Sequence, residues 1–285
     1  MKNVIFCVII GFIMIFPSIV LAETLFYDDF NDGDRVCPCR WHIPTWRWNG
    51  DGTYVGRTQF RCVPSPLPEI KNGNTLILLE TYNPTATNGN WSFYGTDLIS
   101  KRLFSLEEEG VHVTVRAKMD TSTRGIVGGI FLYALKPGST TIHDEVDFEL
   151  ITNLPNRFQT NIYSNEPLGE GNSILLSYNS GTIRDYHIYE IKWQANEVSW
   201  FVDGMLVRTV TRNVPAGPMY FHLNAWAPGD EWALAYDQNL QPSSSAIYNQ
   251  RFQMSVDYVH IQSIPPAPGK SMALILPPLI LDETQ

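Results

Sequence analysis

His143-Asp144-Glu145-Val146-Asp147-Phe148-Glu149-Leu150 is the stretch that decides the architecture. From Glu145 to Leu150 its polar and apolar residues alternate strictly, and side chains along a β-strand point to opposite faces with a period of two. Val146, Phe148 and Leu150 therefore share one face, and Glu145, Asp147 and Glu149 share the other. Like charges side by side on a strand repel, so stability alone gives no reason for this arrangement. Chemistry does. A retaining glycosidase uses two carboxyl groups about 5–5.5 Å apart, one as nucleophile and one as acid/base. Residues i and i+4 on a strand stand about 13 Å apart at Cα, a gap that side chains leaning inward over a concave sheet close in large part. Groups packed this closely do not all ionise, so at least one should stay protonated as the acid, with Asp147 between them.

Moving outward, the chain shows short β-rich runs separated by Gly, Pro, Asn and Asp, the pattern of an all-β sandwich, and no sustained helical periodicity. Strands are expected at 75–81, 111–118, 128–134, 145–151, 158–163, 174–178, 187–194, 197–202, 205–211, 219–225 and 252–262. Asp203-Gly204 lies between two of them and is a strong two-residue hairpin signal. The stretch 37–68 reads as a long ordered loop, and 228–248 as a second, with a helical turn near Glu231–Tyr236.

The chain has 285 residues, 12% aromatic and 17% charged, with a net charge of −9. That composition excludes a disordered chain and disfavours a nucleic-acid partner. Neutral polysaccharide is the expected partner. Lys2, the apolar run from Val4 to Val20 and the small-residue site at Ala22 read as an export signal over 1–22, cleaved before Glu23. A domain over 23–264 and a Pro-rich linker with a short apolar tail over 265–285 would follow. The expectation is a secreted or periplasmic monomer with no membrane attachment after cleavage and no required cofactor. Cys37, Cys39 and Cys62 then remain, and a disulfide is expected between Cys62 and either Cys37 or Cys39. No second pair or His cluster completes a zinc site.

Glu145-Val146-Asp147-Phe148-Glu149 resembles the Glu-x-Asp-x-Glu signature of glycoside hydrolase family sixteen, in the variant of bacterial lichenases and plant xyloglucan endotransglycosylase/hydrolases. The resemblance extends through Phe158–Tyr163, Asp185–Trp193, Trp200–Gly204, Asn224-Ala225-Trp226 and Ser255–Val259. It implies a two-sheet antiparallel jelly-roll of the concanavalin-like kind and a retaining double displacement. Glu145 would be the nucleophile, Asp147 its assistant and Glu149 the acid/base. Sugar rings present flat C–H faces, which aromatic platforms and edge polar groups suit. Phe131, Tyr133, His143, Asn161, Tyr163, Asn224 and Trp226 are the expected substrate contacts, whereas Trp193 and Trp200 are assigned to the core. His143 matches the plant group, where lichenases usually carry Trp; the cysteine-free stretch 265–285 does not match that group's cysteine-rich extension. Asp257 stands where the resemblance would put a carboxylate ligand of a structural calcium ion. The implied activity is endo-hydrolysis of β-1,3/1,4-glucan. Transfer to a sugar acceptor on xyloglucan or a related β-glucan, and non-catalytic glycan binding, are the alternatives.

Overall fold

The computed structural model describes residues 21–44, 54–60, 68–81, 93–106, 110–242 and 246–265. The export signal up to residue 20, Cys62 and nearly all of the 265–285 tail lie outside the described residues. The strands are β1 (Thr24–Asp28), β2 (Trp41–His42), β3 (Tyr54–Val55), β4 (Thr58–Phe60), β5 (Glu69–Lys71) and β6 (Asn74–Thr81). Next come β7 (Phe93–Gly95), β8 (Asp97–Phe104), β9 (Val111–Met119), β10 (Val127–Leu135), β11 (His143–Ile151) and β12 (Arg157–Glu166). The last are β13 (Ile174–Ser177), β14 (His187–Gln194), β15 (Glu197–Val202), β16 (Met205–Val210), β17 (Met219–Trp226) and β18 (Arg251–Ser263).

They form two sheets, one of seven strands in the order β13-β12-β11-β10-β17-β8-β2 and one of eleven, running from β16 through β14, β9, β18 and β6 to β3. The pairings are antiparallel except for β4 beside β7. β11 is an interior strand, bonded on one side to β10 and on the other to β12. This placement is the sandwich the alternation predicts: Val146, Phe148 and Leu150 are fully buried between the sheets. Opposite them the eleven-stranded sheet contributes Tyr189, Ile191, Trp193 and Trp200 to the same core. Trp200 also ties the sheets together, because its indole N–H donates to the Asp147 carbonyl at 3.0 Å. A buried indole needs such a partner, and here the partner is the backbone of the carboxylate strand.

The hairpin turn between β15 and β16 holds Asp203 at φ 51° and Gly204 at φ 75°. Positive φ at both central positions is what a two-residue type I′ turn demands. The predicted loop over 228–248 contains the expected helical turn, with Tyr236 N–H donating to the Trp232 carbonyl at 2.9 Å. The other predicted loop is less irregular than expected, since β2, β3 and β4 lie within it.

The disulfide expectation is corrected. Cys37 bonds Cys39, at a Cα separation of 5.2 Å, and neither bonds Cys62. The reason is local: the chain turns at 38–40, with Arg40 N–H donating to the Cys37 carbonyl at 3.1 Å. That turn brings the two Cα atoms inside the range a disulfide spans.

Candidate active site

The outer face of the seven-stranded sheet carries the candidate site. Strand register makes it a grid. Across from Glu145, Asp147 and Glu149 on β11 stand Tyr133, Phe131 and Gly129 on β10, and Tyr163, Asn161 and Gln159 on β12. One strand further, β17 sets His222 beside Phe131 and Asn224 beside Gly129. Alternation thus converts spacing in sequence into a two-dimensional array of side chains on one face.

The three carboxyl groups occupy unequal environments. Asp147 is 3% exposed. Its pKa is raised well above the ordinary carboxyl value, first by burial and then by the charges of Glu149 and Glu145. Its Oδ1 is buried without a partner, as fits a group that does not carry a full charge. Glu149 keeps some solvent contact but its pKa is pushed up to about 8, by burial first and the Glu145 charge second. The Gln159 amide donates to Glu149 Oε2 at 2.7 Å and pulls the other way without cancelling the rise. Glu145 Oε2 lies 3.2 Å from His143 Nε2. The set therefore holds a protonated carboxylic acid at neutral pH two strand repeats away from a carboxylate beside an imidazole. That is the pairing from which acid and nucleophile assignments are made.

Gly129, across from Glu149, lets the Asn224 amide approach the sheet closely, since a Cβ there would collide with Asn224 Oδ1. That oxygen is itself buried without a partner. Phe131 stacks on His222 with ring centroids 4.8 Å apart, and His222 Nδ1 lies 3.2 Å from Asp97 Oδ1. Trp226 stacks on Trp232 at 5.6 Å and 22°, forming a paired indole wall at the end of β17.

Phe131, Tyr133 and Trp226 are partly exposed, while Asn161, Tyr163 and Asn224 lie buried in the floor of the face. His143, also expected as a substrate contact, is 3% exposed, covered by Tyr133 at 5.3 Å and Tyr163 at 4.5 Å between ring centroids. Gln159, His222 and Trp232 were not anticipated. The first two follow from the alternation already used for Asn161 and Asn224, so the signal was present. Trp232 sits in a loop without periodicity, and nothing in the sequence pointed to it.

The residues around Asp257 do not fit a calcium ion. Arg116 Nη1 stands 2.6 Å from Asp257 Oδ2, so a guanidinium already occupies the carboxylate's charge. Calcium takes six to eight oxygen ligands, and among the described residues no cluster of acidic or metal-binding side chains assembles such a set.

Glycosyl hydrolases family 16 matches residues 78–258, which include every residue of the grid. The chain belongs to that family. The family region carries the alternating carboxylates on β11 and both flanking strands. A β-glucanase of Bacillus licheniformis is 33% identical over 131 residues, covering 45% of this chain and 52% of that protein. A β-glucanase of Acetivibrio thermocellus is 30% identical over 182 residues, covering 62% of this chain and 51% of that protein. The chain spans about half the length of the curated relatives it matches. Among solved structures, a prokaryotic β-1,3-1,4-glucanase (lichenase) derived from a mouse hindgut metagenome superposes with a TM-score of 0.65 at 26% identity, covering 84% of this chain and 99% of that one. With these family 16 neighbours, the two-sheet sandwich is a jelly-roll.

Trp226 and Trp232 form a flat aromatic wall of the kind that a sugar C–H face stacks on. Trp226→Ala is expected to weaken glucan-oligosaccharide binding by about 1–2 kcal/mol in calorimetry, the scale of an aromatic contact. The thermal unfolding transition should remain cooperative. A variant that loses the fold instead would assign Trp226 to structural packing.

Proposed function

We propose that the chain is a secreted retaining endo-β-glucanase that hydrolyses β-1,3/1,4-linked glucan through a covalent glycosyl-enzyme. The observation that carries this reading is the unequal pair on β11: Glu149 with its pKa pushed up to about 8, and Glu145 beside His143. In the first step the Glu149 carboxylic acid gives its proton to the departing sugar oxygen while Glu145 attacks the anomeric carbon. The C–O bond to the leaving sugar breaks and an ester to Glu145 forms. In the second step Glu149, now a carboxylate, takes a proton from water, whose oxygen displaces Glu145 and restores the starting stereochemistry. Asp147 between them keeps the two charges from coexisting at full strength. The relatives' β-glucanase names and the lichenase neighbour support the substrate class.

A specific observation keeps transfer open as a second reading. His143 in the His-Asp-Glu-x-Asp-x-Glu run matches the plant transglycosylase group, where a sugar hydroxyl replaces water in the second step. Product analysis on lichenan, laminarin, xyloglucan and agarose separates the readings, because transfer yields chains longer than the substrate.

Azide rescue tests the roles. Glu149→Ala should regain turnover of an activated aryl glycoside with azide and give the retained glycosyl azide, whereas Glu145→Ala should give the inverted one. On natural glucan the wild-type rate should fall as pH rises through about 8, because Glu149 must hold a proton to start the cycle. The same stereochemistry from both variants would overturn the assignment.

Export is part of the proposal. It rests on Lys2, the apolar run and Ala22. Mass spectrometry of secreted material should find Glu23 at the N-terminus; intact Met1 on membrane-bound protein would contradict it.

A further inference from the structure

His143 is the buried titratable group that the two-carboxyl mechanism does not use. Its Nδ1 lies 3.0 Å from the Thr141 carbonyl oxygen. A carbonyl only accepts, so Nδ1 carries a hydrogen and donates it there. In a neutral ring Nε2 then presents a lone pair. That atom stands 3.2 Å from Glu145 Oε2, where two lone-pair-bearing atoms would repel each other. Nε2 is buried, and its contact with Glu145 does not have the geometry of a hydrogen bond. The contact is therefore one of charge, and with Glu145 ionised, as a nucleophile must be, only an imidazolium makes it attractive. At 3% exposure the ring is shut off from bulk solvent.

We propose that His143 is a positioning residue, the imidazolium counter-ion that fixes the Glu145 carboxylate for attack, and that loss of its proton sets a limit on glycosylation separate from Glu149. This rests on the reading of Glu145 as nucleophile.

The groups facing His143 from each packed element support a cation there. From β10 and β12, Tyr133 and Tyr163 lay their rings against it at 5.3 Å and 4.5 Å. Aromatic faces favour a cation. Tyr133 has its pKa pushed up to about 12, chiefly by burial, and that of Tyr163 is also raised, so both are neutral through the working range. On its own strand Asp144 is already neutralised by Lys136, with Asn165 N–H donating to it at 2.8 Å and Gly217 N–H at 3.3 Å. Glu166, opposite His143 in the β11–β12 register, accepts the Ser164 N–H at 3.3 Å. Glu145 is thus the carboxylate in direct contact with the imidazole. Burial pulls the His143 pKa down, but the Glu145 contact, the Thr141 carbonyl and the charges of Glu145 and Asp144 raise it more, leaving it above the ordinary histidine value.

Two measurements test this. In the first, the His143 imidazole is titrated by NMR in the full chain and in Glu145→Gln. The imidazolium should persist above the ordinary histidine range in the native protein and lose its proton at lower pH in Glu145→Gln. An ordinary titration unmoved by Glu145→Gln would overturn the proposal. The second uses dinitrophenyl β-cellobioside, whose leaving group needs no proton, in a Glu149→Gln background that removes the acid/base titration. There kcat/KM should fall with rising pH to a plateau roughly tenfold lower, the scale of one charge-assisted contact. Adding His143→Gln should make the profile flat at that lower level. A profile unchanged by His143→Gln would overturn the proposal. If His143→Gln does not fold, the titration of the native ring still decides. If no glycoside or glucan is cleaved, the functional reading fails while the NMR result still tells whether the ion pair exists.

Discussion

The mutual repulsion of the carboxyl groups on the outer face of β11 is the constraint to which the rest of the site answers. Carboxylates two residues apart on a strand are about 7 Å apart. At an effective dielectric near 20, two full charges at that distance repel by roughly 2 kcal/mol. The protein relieves this by keeping protons on the face rather than by separating the groups. Glu149 holds its proton to about pH 8, and Asp147, buried without a partner for Oδ1, also holds its own well above the ordinary carboxyl range. Glu145, with an imidazole beside it, is the group left to carry the charge. Acid and nucleophile are thereby distinguished by environment rather than by residue type.

The strand can bear this load because its other half is anchored. Val146, Phe148 and Leu150 are fully buried, and the Trp200 indole holds the Asp147 carbonyl from the opposing sheet. A one-residue slip of β11 would turn the apolar trio outward and the carboxyl groups into the core, so the register of the whole sheet is fixed by the same alternation that builds the site. Arg208 adds to this from β16, donating to the Thr160 carbonyl and hydroxyl at 2.9 Å across the core. β12, which supplies Gln159, Asn161 and Tyr163, is locked in place by that contact.

Where alternation was clean, the sequence was readable. The bounds of β14 and β15 coincide with the expected ones, and β11 begins two residues earlier than expected because Asp144 and His143 continue the ladder to β12. β8 escaped notice although it is eight residues long, since Ser100-Lys101-Arg102 interrupts its apolar pattern. Ser100 is buried there because its hydroxyl accepts the Phe221 N–H and donates to the Arg102 carbonyl, a pairing that no local pattern reveals. The short strands β2, β3 and β4 carry too few residues to show a period, and β2 and β4 are held by β8 and β7, far along the chain. In the site, the carboxyl face and its β12 neighbours were legible from periodicity. The burial of His143 was not, because it depends on Tyr133 and Tyr163 closing over the ring from two other strands. The Cys37–Cys39 bond was missed for the opposite reason, as it depends on a tight local turn while the sequence reading looked for a distant partner.

The claim on which the account stands is that Glu145 is the residue that bonds to sugar. A fluorinated glucosyl or cellobiosyl fluoride, whose second step is slowed far more than its first, should trap the intermediate, and peptide mapping by mass spectrometry then locates the added sugar. The account predicts stoichiometric labelling on Glu145, abolished in Glu145→Gln and still obtained in Glu149→Gln. Label on Glu149, or turnover of natural glucan with inverted stereochemistry and no label at all, would contradict it.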